Sequence, residues 1–237
     1  MPRDRTSAGA LTLPQILSGL PAGGEVLDVG CLGFKQVGAA RAAGRPDLRH
    51  AGVDFVPDAS PPAGFDYRHA DLNSDSFPFE DDRFDLVICS HVLEHIREPT
   101  GFFADCVRVA RPGGLVFVET PSERSLWLPG FPFGHERFFS TSFFDDPTHV
   151  GRPWSAQGLY RLASYLGCEP LGAGYRTSWK ARLALPLLLP LALLGRRGEL
   201  VESLLWGAFG WASYLVARKS AELSGRPELT YYIPTDR

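Results

Sequence analysis

Glu25–Phe34 reads EVLDVGCLGF, a short apolar run that ends in a glycine-containing turn. The apolar part is too short for a helix and is bounded by glycine, so we expect a strand buried in a parallel sheet. Glycines let the backbone approach a ligand closely, and a helix that follows offers free N–H groups in its first turn. Taken alone, the segment fits either a nucleotide-like cofactor site or a tight structural turn.

Strands and helices alternate on the carboxyl-terminal side of this segment. Further strands are predicted around 51–55, 67–70, 84–90, 115–120, 171–179 and 213–219, with a turn at 111–114. Helices are predicted over 34–43, 99–110 and 155–166, the last with Ser155 as its N-cap, and a short helix over 11–20 precedes the segment. This alternation is typical of a doubly wound parallel sheet, whose ligands lie outside the carboxyl ends of the strands. We therefore predict a Rossmann-like α/β fold with a seven-stranded, mostly parallel sheet and an antiparallel last strand, in a single domain over 1–237.

Two carboxylates stand where predicted strands end. Asp54 lies about 20 residues past the glycine turn, the spacing at which an acid can accept hydrogen bonds from two ribose hydroxyls. Asp71 ends the third strand and could accept from an exocyclic amine. Each residue considered singly also fits an ordinary surface acid.

Together these segments resemble the class I S-adenosylmethionine-dependent methyltransferases over roughly residues 24–167. VLDVGC matches the family's first motif, and GVDFVPD matches the segment that holds the ribose. The stretch from the adenine-binding acid to the fourth strand is matched by ADLNSDSFPFEDDRFDLVICSHVLEHI, and the region around the fifth strand by RVARPGGLVFVETPS. The turn is one glycine shorter than the family pattern, and a one-residue deletion would let Gly33 take the place of the last glycine.

The resemblance implies methyl transfer with S-adenosylmethionine as cofactor. It assigns the methionine part of the cofactor to Asp28, Gly30 and Gly33, the ribose to Asp54 and the neighbouring Phe55, the adenine to Asp71 and Leu72, and the sulfonium side to Ser90 and His91. The nicotinamide fingerprint G-x-G-x-x-G is absent from the turn, which disfavours an NAD enzyme.

A second motif overlaps the fourth strand's end. His91-Val92-Leu93-Glu94-His95 fits H-x-x-E-H, in which two histidines one helical turn apart grip zinc. A zinc hydrolase is therefore an alternative from a different class, and a non-catalytic cofactor-binding protein is another. The methyltransferase resemblance instead implies that Glu94 and His95 cap or pack a helix beside the cofactor pocket, and no metal is predicted.

Residues 121–153 are predicted to form a cap loop. FDDPTHV, Phe144–Val150, is similar to a loop in a methyltransferase subgroup associated with glycans and cell-envelope sugars. His149 is the best candidate general base because imidazole titrates near neutral pH, and Asp145 or Asp146 could orient it. The alternative is a turn at 146–148 with His149 packed on the sheet, and His135 with Glu136 is a second candidate pair.

The cap is dense in aromatic side chains, which suit a sugar face, a lipid chain or a small satellite core. They are Trp127, Phe131, Phe133, Phe138, Phe139, Phe143, Phe144 and Trp154. The predicted acceptor is a glycan or lipid-linked hydroxyl, with a small soluble metabolite as the alternative.

An apolar insertion is predicted at about 181–211, before the last strand. Leu183–Leu194 and Leu204–Ala217 carry no charged side chain, but as helices they are shorter than the roughly 30 Å hydrocarbon core. The segment 183–217 predicts either a hairpin that dips into a membrane interface, with Arg182, Arg196 and Arg197 at lipid phosphates, or a helical insertion packed on the sheet or on a second subunit of a homodimer. Pro186 and Pro190 disfavour one straight helix.

Charge and cysteine usage bound the remaining classes. The formal net charge is −3, without the basic footprint of a nucleic-acid binder. The four cysteines, at 31, 89, 106 and 168, have no metal-binding spacing and indicate reduced thiols. The first residues do not read as a secretory signal, so a cytoplasmic protein is expected.

Overall fold

The seven strands form one sheet in the order β3-β2-β1-β4-β5-β7-β6 in a computed structural model that describes residues 12–57, 60–128 and 141–228. The strands are β1 Glu25–Val29, β2 Arg49–Asp54, β3 Asp66–His69, β4 Phe84–Ser90, β5 Ala110–Pro121, β6 Cys168–Tyr175 and β7 Ala212–Lys219. β7 runs antiparallel to its two neighbours, β5 and β6, and the other pairings among these strands are parallel. The predicted Rossmann-like fold is confirmed.

Helices cover both faces of the sheet. They are α1 Leu13–Ser18, α2 Lys35–Ala42, α3 Pro99–Val109, α4 Ala156–Tyr165, α5 Trp179–Leu194 and α6 Gly198–Phe209. Buried side chains of α1 and α2 form one apolar cluster with the sheet, and those of α3 and α4 form another. Ser155 caps α4, as its position in the sequence suggests, by accepting from Gly158 N at 3.0 Å.

The parallel register brings the ends of four strands to one edge. Val29 pairs with both Val53 and Cys89, and Ser90 pairs with Glu119. The polar residues after β1, β2 and β4 therefore meet at the point where the chain order of the sheet reverses, which is where such sheets bind ligands.

The apolar insertion forms the helices α5 and α6, which pack on each other around a third apolar cluster. The prolines leave α5 continuous, because Pro186 and Pro190 are both exposed and one turn apart, so the missing N–H groups fall on one solvent-facing side. The second apolar run is not one helix. Gly210, with φ +75°, ends α6, and Ala212–Ala217 enter the buried strand β7.

The predicted turn at 111–114 is part of β5, which begins at Ala110 and shifts its register against β4 between Phe84 and Leu86.

Across the three described ranges, no helix is both long and apolar enough to cross a bilayer.

Candidate functional site

A cavity of about 670 Å³ lies at the carboxyl edge of the sheet, and we call it the strand-end cavity. Its lining comes from the loops after β1, β2, β3 and β4 and from the cap. The lining residues are Gly30, Asp54, Phe55, Asp71, Leu72, Asn73, His91, Val92, His95, Ile96 and Thr148. Its volume is that of an ordinary cofactor or small-molecule site.

Gly30 opens the turn after β1 and can only be glycine. Its φ is +74°, and its N–H donates to Val53 O at 2.9 Å. A Cβ at this position would lie 2.3 Å from Val92 Cγ2. The glycine therefore keeps this wall of the cavity thin enough for the backbone to contact a ligand.

Asp54, at the end of β2, is 3% exposed and only half satisfied. Its Oδ2 accepts from Leu32 N at 3.0 Å, which ties the glycine turn to β2. Its Oδ1 is buried and has no protein partner among the residues that the structure describes. Since a buried carboxylate oxygen without a donor is costly, Asp54 suits a ligand that brings hydroxyl groups into this cavity.

Asp28 lies behind this wall, on β1, and is also buried. Burial first, and then the charge of Asp54, raises the pKa of Asp28 to about 8. Two neighbouring buried carboxylates favour a cationic ligand, because a positive charge would offset both the desolvation and the repulsion.

Six of the nine predicted cofactor residues line the strand-end cavity, and three do not. Those that line it are Gly30, Asp54, Phe55, Asp71, Leu72 and His91, whereas Asp28, Gly33 and Ser90 are absent from the lining. Asp71 Oδ1 accepts from Asn73 N at 3.0 Å. The sequence reasoning missed Asn73, Val92, Ile96 and Thr148, although Asn73 and Thr148 stand inside the motifs that it used.

His91 follows β4 and forms one wall of the cavity. Its φ of +57° turns the chain sharply, and its N–H donates to Glu119 O at 2.8 Å. The ring lies with Nδ1 3.3 Å from Glu94 Oε1 and Nε2 3.7 Å from Glu119 Oε1. Burial by itself lowers the pKa of His91, but the hydrogen bonds and charges of Glu119 and Glu94 outweigh it and raise the pKa to about 9.

A second cavity of about 340 Å³ adjoins the first at His91, and we call it the neighbouring cavity. It is lined by His91, Glu119, Arg176, Thr177, Ser178, Trp206, Gly207, Trp211 and Ala212. Trp206 and Trp211 stack at 4.3 Å, and Arg176 Nε is 2.5 Å from Glu119 Oε2. The neighbouring cavity is thus lined by flat aromatic rings, Trp206 and Trp211, and by a charged pair, Arg176 and Glu119.

The cap's DPTH segment forms a tight turn against the cavity. Asp146 Oδ1 accepts from Thr148 N at 2.8 Å and from Thr148 Oγ1 at 2.6 Å, and these bonds lower the pKa of Asp146. His149 is not in the cavity lining. Its Nδ1 donates to Phe143 O at 2.7 Å, its Nε2 lies 3.8 Å from Asp146 Oδ2, and its ring is 5.0 Å from that of His95.

Asp145 makes local contacts, because its Oδ2 accepts from the backbone of Thr141 and Ser142 at 2.9 and 2.7 Å. Of the predicted cap aromatics, Phe143 and Trp154 are buried, whereas Trp127 and Phe144 are exposed. The others, and the pair His135 and Glu136, lie outside the described residues; they are Phe131, Phe133, Phe138 and Phe139.

Glu94 connects the cap to the sheet. It is 1% exposed, and its Oε2 accepts from Thr120 Oγ1 at 3.0 Å. Its backbone carbonyl accepts from Val150 N and Gly151 N, both at 3.1 Å. The packing role that the resemblance implied for Glu94 thus has a specific set of partners.

The zinc ligands of the alternative hydrolase interpretation, His91, Glu94 and His95, do not lie on one helical face, because only Leu93–His95 form a short 3-10 turn. Within the described ranges, the side chains that bring possible ligand atoms within 4.8 Å of one another are Glu94, His95 and His149. His95 Nδ1 already donates to Thr148 O at 3.1 Å. Both sets contain Glu94 and His95. The zinc motif adds His91, whereas the structure brings His149 close to the other two side chains.

Comparisons with known proteins point to one family. A family model described as "Methyltransferase domain" matches residues 27–118. A ubiquinone biosynthesis O-methyltransferase of Methylococcus capsulatus is 36% identical over 174 residues, which are 64% of this chain and 68% of that protein. A second, from Parvibaculum lavamentivorans, is 30% identical over 100 residues, and the match covers 40% of this chain and only 39% of that relative.

A solved structure supports the fold. The S-adenosylmethionine-dependent methyltransferase from Mesorhizobium loti superposes with a TM-score of 0.54 at 20% identity, over 87% of this chain and 96% of that one. The unpartnered Asp54 oxygen and the glycine cradle at Gly30 fit the ribose and backbone contacts that such a cofactor needs. The chain therefore belongs to the class I S-adenosylmethionine-dependent methyltransferases, with S-adenosylmethionine as its cofactor.

Proposed function

We propose that the chain methylates a hydroxyl oxygen of a small acceptor that binds in the neighbouring cavity. The observation that carries this proposal is the position of His91, which lines both the strand-end cavity and the neighbouring cavity. An acceptor in the second cavity would therefore lie beside a cofactor in the first, with His91 next to both. The volume of about 340 Å³ suits one ring with its substituents.

Bound S-adenosylmethionine supplies a methyl group on a sulfonium, and this group is open to attack by an acceptor oxygen. The protein's main tasks are then to align the acceptor and to exclude water. The stacked Trp206 and Trp211 present a flat apolar wall that would hold a ring in one plane. Arg176 and Glu119 offer a donor and an acceptor to the ring's polar substituents.

His91 is suited to stabilise negative charge on the attacking oxygen. With a pKa of about 9 it is a cation at neutral pH, so it can donate to an oxygen that is losing its proton. The same charge prevents it from acting as a base below that pH. Glu119, whose pKa is lowered because its contacts with His91 and Arg176 outweigh its burial, is ionised there and could accept the hydroxyl proton.

We also propose His149 as a second candidate general base, with Asp146 beside it, although neither residue is in the lining of the two cavities. Because Nδ1 of His149 donates to Phe143 O, Nε2 carries the free lone pair that a base requires. Asp146 Oδ2 lies 3.8 Å from that nitrogen and would stabilise the imidazolium that forms once Nε2 has taken the proton, while the bond to Phe143 O orients the ring. Replacing His149 with glutamine distinguishes the two candidate bases. A fall in kcat of about 10²–10⁴ would identify His149 as the base, whereas a fall below tenfold would favour Glu119 as the group that accepts the hydroxyl proton.

The relatives support an oxygen acceptor, since the proteins from Methylococcus capsulatus and Parvibaculum lavamentivorans are named O-methyltransferases. The chain spans less than two thirds of the second relative. We therefore base the proposed acceptor on the neighbouring cavity and not on the names of the relatives. The glycan or lipid-linked hydroxyl predicted from the sequence is a second candidate. An apolar groove of about 760 Å³, which Trp127 lines together with Leu185 and Leu189, favours a lipid-linked form.

The test measures S-adenosylhomocysteine formation with a panel of phenols, catechols and monosaccharides. Trp206→Ala should raise the acceptor KM at least about tenfold and leave cofactor affinity in calorimetry unchanged, since Trp206 lines the neighbouring cavity and not the strand-end cavity. The matched control is Trp127→Ala, an exposed tryptophan in the apolar groove, which should not change turnover of a small acceptor.

Two results would contradict the proposal. Turnover with amines or thiols, and none with hydroxyls, would remove the oxygen acceptor. An unchanged acceptor KM in Trp206→Ala would show that the acceptor does not bind in the neighbouring cavity. If only Trp127→Ala raised the KM, and did so for lipid-linked acceptors, the result would favour the second candidate.

A further inference from the structure

Five large apolar side chains form an exposed stripe along α5. They are Trp179, Leu183, Leu187, Leu191 and Leu194, and we call them the α5 stripe. Their spacing of four, four, four and three residues puts them on one face of a helix. Each is between 56% and 82% exposed, so among the described residues nothing covers this face along the helix.

The opposite side of α5 carries the packing. Ala192 is buried with Val201 and Leu205 of α6, and Leu185 and Leu189 are partly buried against the same cluster. Gly207 of α6 lets the helices come close, since a Cβ there would lie 2.9 Å from Ala181 Cβ. The hairpin is therefore held together without the stripe, whose apolar character the fold does not require.

Cationic side chains stand at both ends of the stripe. Residues 179–197 include Lys180, Arg182, Arg196 and Arg197 and no aspartate or glutamate, although the whole chain has a net charge of −3. All four are exposed. The stripe is thus an apolar face with a positive rim, and its partner should be apolar in the middle and negative at the edge.

We propose that α5 lies flat on an anionic lipid bilayer, with the α5 stripe in the headgroup–acyl boundary and the four cations at lipid phosphates. The 16 residues of α5 span about 24 Å, which suits a helix lying in the interface and is too short to cross it. Trp179 at its first position presents the amphipathic ring that favours this depth.

The charge pattern favours lipid over a second copy of the chain. A twofold dimer would bring the same patch of both subunits together. Two segments with four cations each and no acid would then face one another, and this arrangement is repulsive. An anionic membrane surface instead attracts each of these side chains.

The experiment is cosedimentation of the full chain with vesicles of phosphatidylcholine alone or mixed with phosphatidylglycerol. We expect binding that rises with the anionic lipid and weakens in high salt. Leu183→Ser/Leu187→Ser/Leu191→Ser should weaken it at least about tenfold, and Lys180→Gln/Arg196→Gln/Arg197→Gln should weaken it on anionic vesicles only. The matched control is Tyr160→Ser, an exposed ring on α4, which should bind like the parent.

Circular dichroism and cofactor calorimetry on each variant show that the sheet and the strand-end cavity are intact. Because vesicle binding is measured without turnover, its failure would leave the proposed methyl transfer untouched. The proposal is overturned if the parent does not sediment with anionic vesicles, or if the triple leucine variant binds as the parent does. A parent that elutes as a dimer, becomes monomeric in the leucine variant and ignores vesicles would show that the stripe joins two copies instead.

Discussion

At the scale of single residues, we propose that Asp54 holds the ribose of the cofactor. We expect Asp54→Asn to weaken S-adenosylmethionine binding about 10- to 100-fold, since a charged acceptor of buried hydroxyls contributes about 1–3 kcal/mol. Isothermal titration calorimetry measures this directly. The control is Asp47→Asn, which removes a charge before β2, where Asp47 pairs with Arg45. Equal affinities in parent and Asp54→Asn would remove Asp54 from the site.

At the scale of elements, the α5–α6 hairpin separates buried from exposed leucines. Leu205→Ala should destabilise the hairpin by about 2–5 kcal/mol, because it leaves a cavity in a cluster where Leu205 is 4% exposed. Leu187→Ala, on a side chain that is 68% exposed, should change the free energy of opening very little. Hydrogen exchange of the α5 and α6 amides measures both. A similar loss in the two variants would show that the α5 stripe is covered in solution.

At the scale of the whole molecule, Lys219 ties the end of β7 to the start of β5 and to the loop before β4. Its buried Nζ donates to Asp82 Oδ1 at 2.6 Å and to Ala110 O at 2.9 Å. We expect Lys219→Met to lower the free energy of unfolding by about 3–5 kcal/mol, since it leaves a paired carboxylate without its cation. Urea unfolding followed by circular dichroism and by tryptophan fluorescence measures the loss.

The neighbouring Arg218 provides the control for this prediction. It pairs with Glu169 at 3.5 Å on the surface, so Arg218→Met should cost less than about 1 kcal/mol. We also propose that the chain unfolds as one domain, in which case the two optical probes give coincident transitions. Two separate transitions, or equal losses in both variants, would contradict these expectations.

Local sequence determined the sheet and the first half of the site. Apolar runs bounded by glycine specify buried strands, and parallel strands bring their carboxyl ends to one edge of the sheet. The sequence alone therefore predicted that Gly30, Asp54 and Asp71 lie close together. The same reasoning placed α4 and its Ser155 cap, because a cap depends only on residues within one turn.

Long-range packing decided what the sequence left open. The run at 204–217 is apolar throughout, yet Gly210 divides it between α6 and β7. The part after Gly210 is extended because it pairs with β5 and β6, which stabilises a strand there. The pairing of His91 with Glu119, the neighbouring cavity and the one-sided exposure of α5 join residues far apart in the chain. Which of two apolar faces of a helix is covered depends on what the rest of the fold places against it, and periodicity carries no information about that.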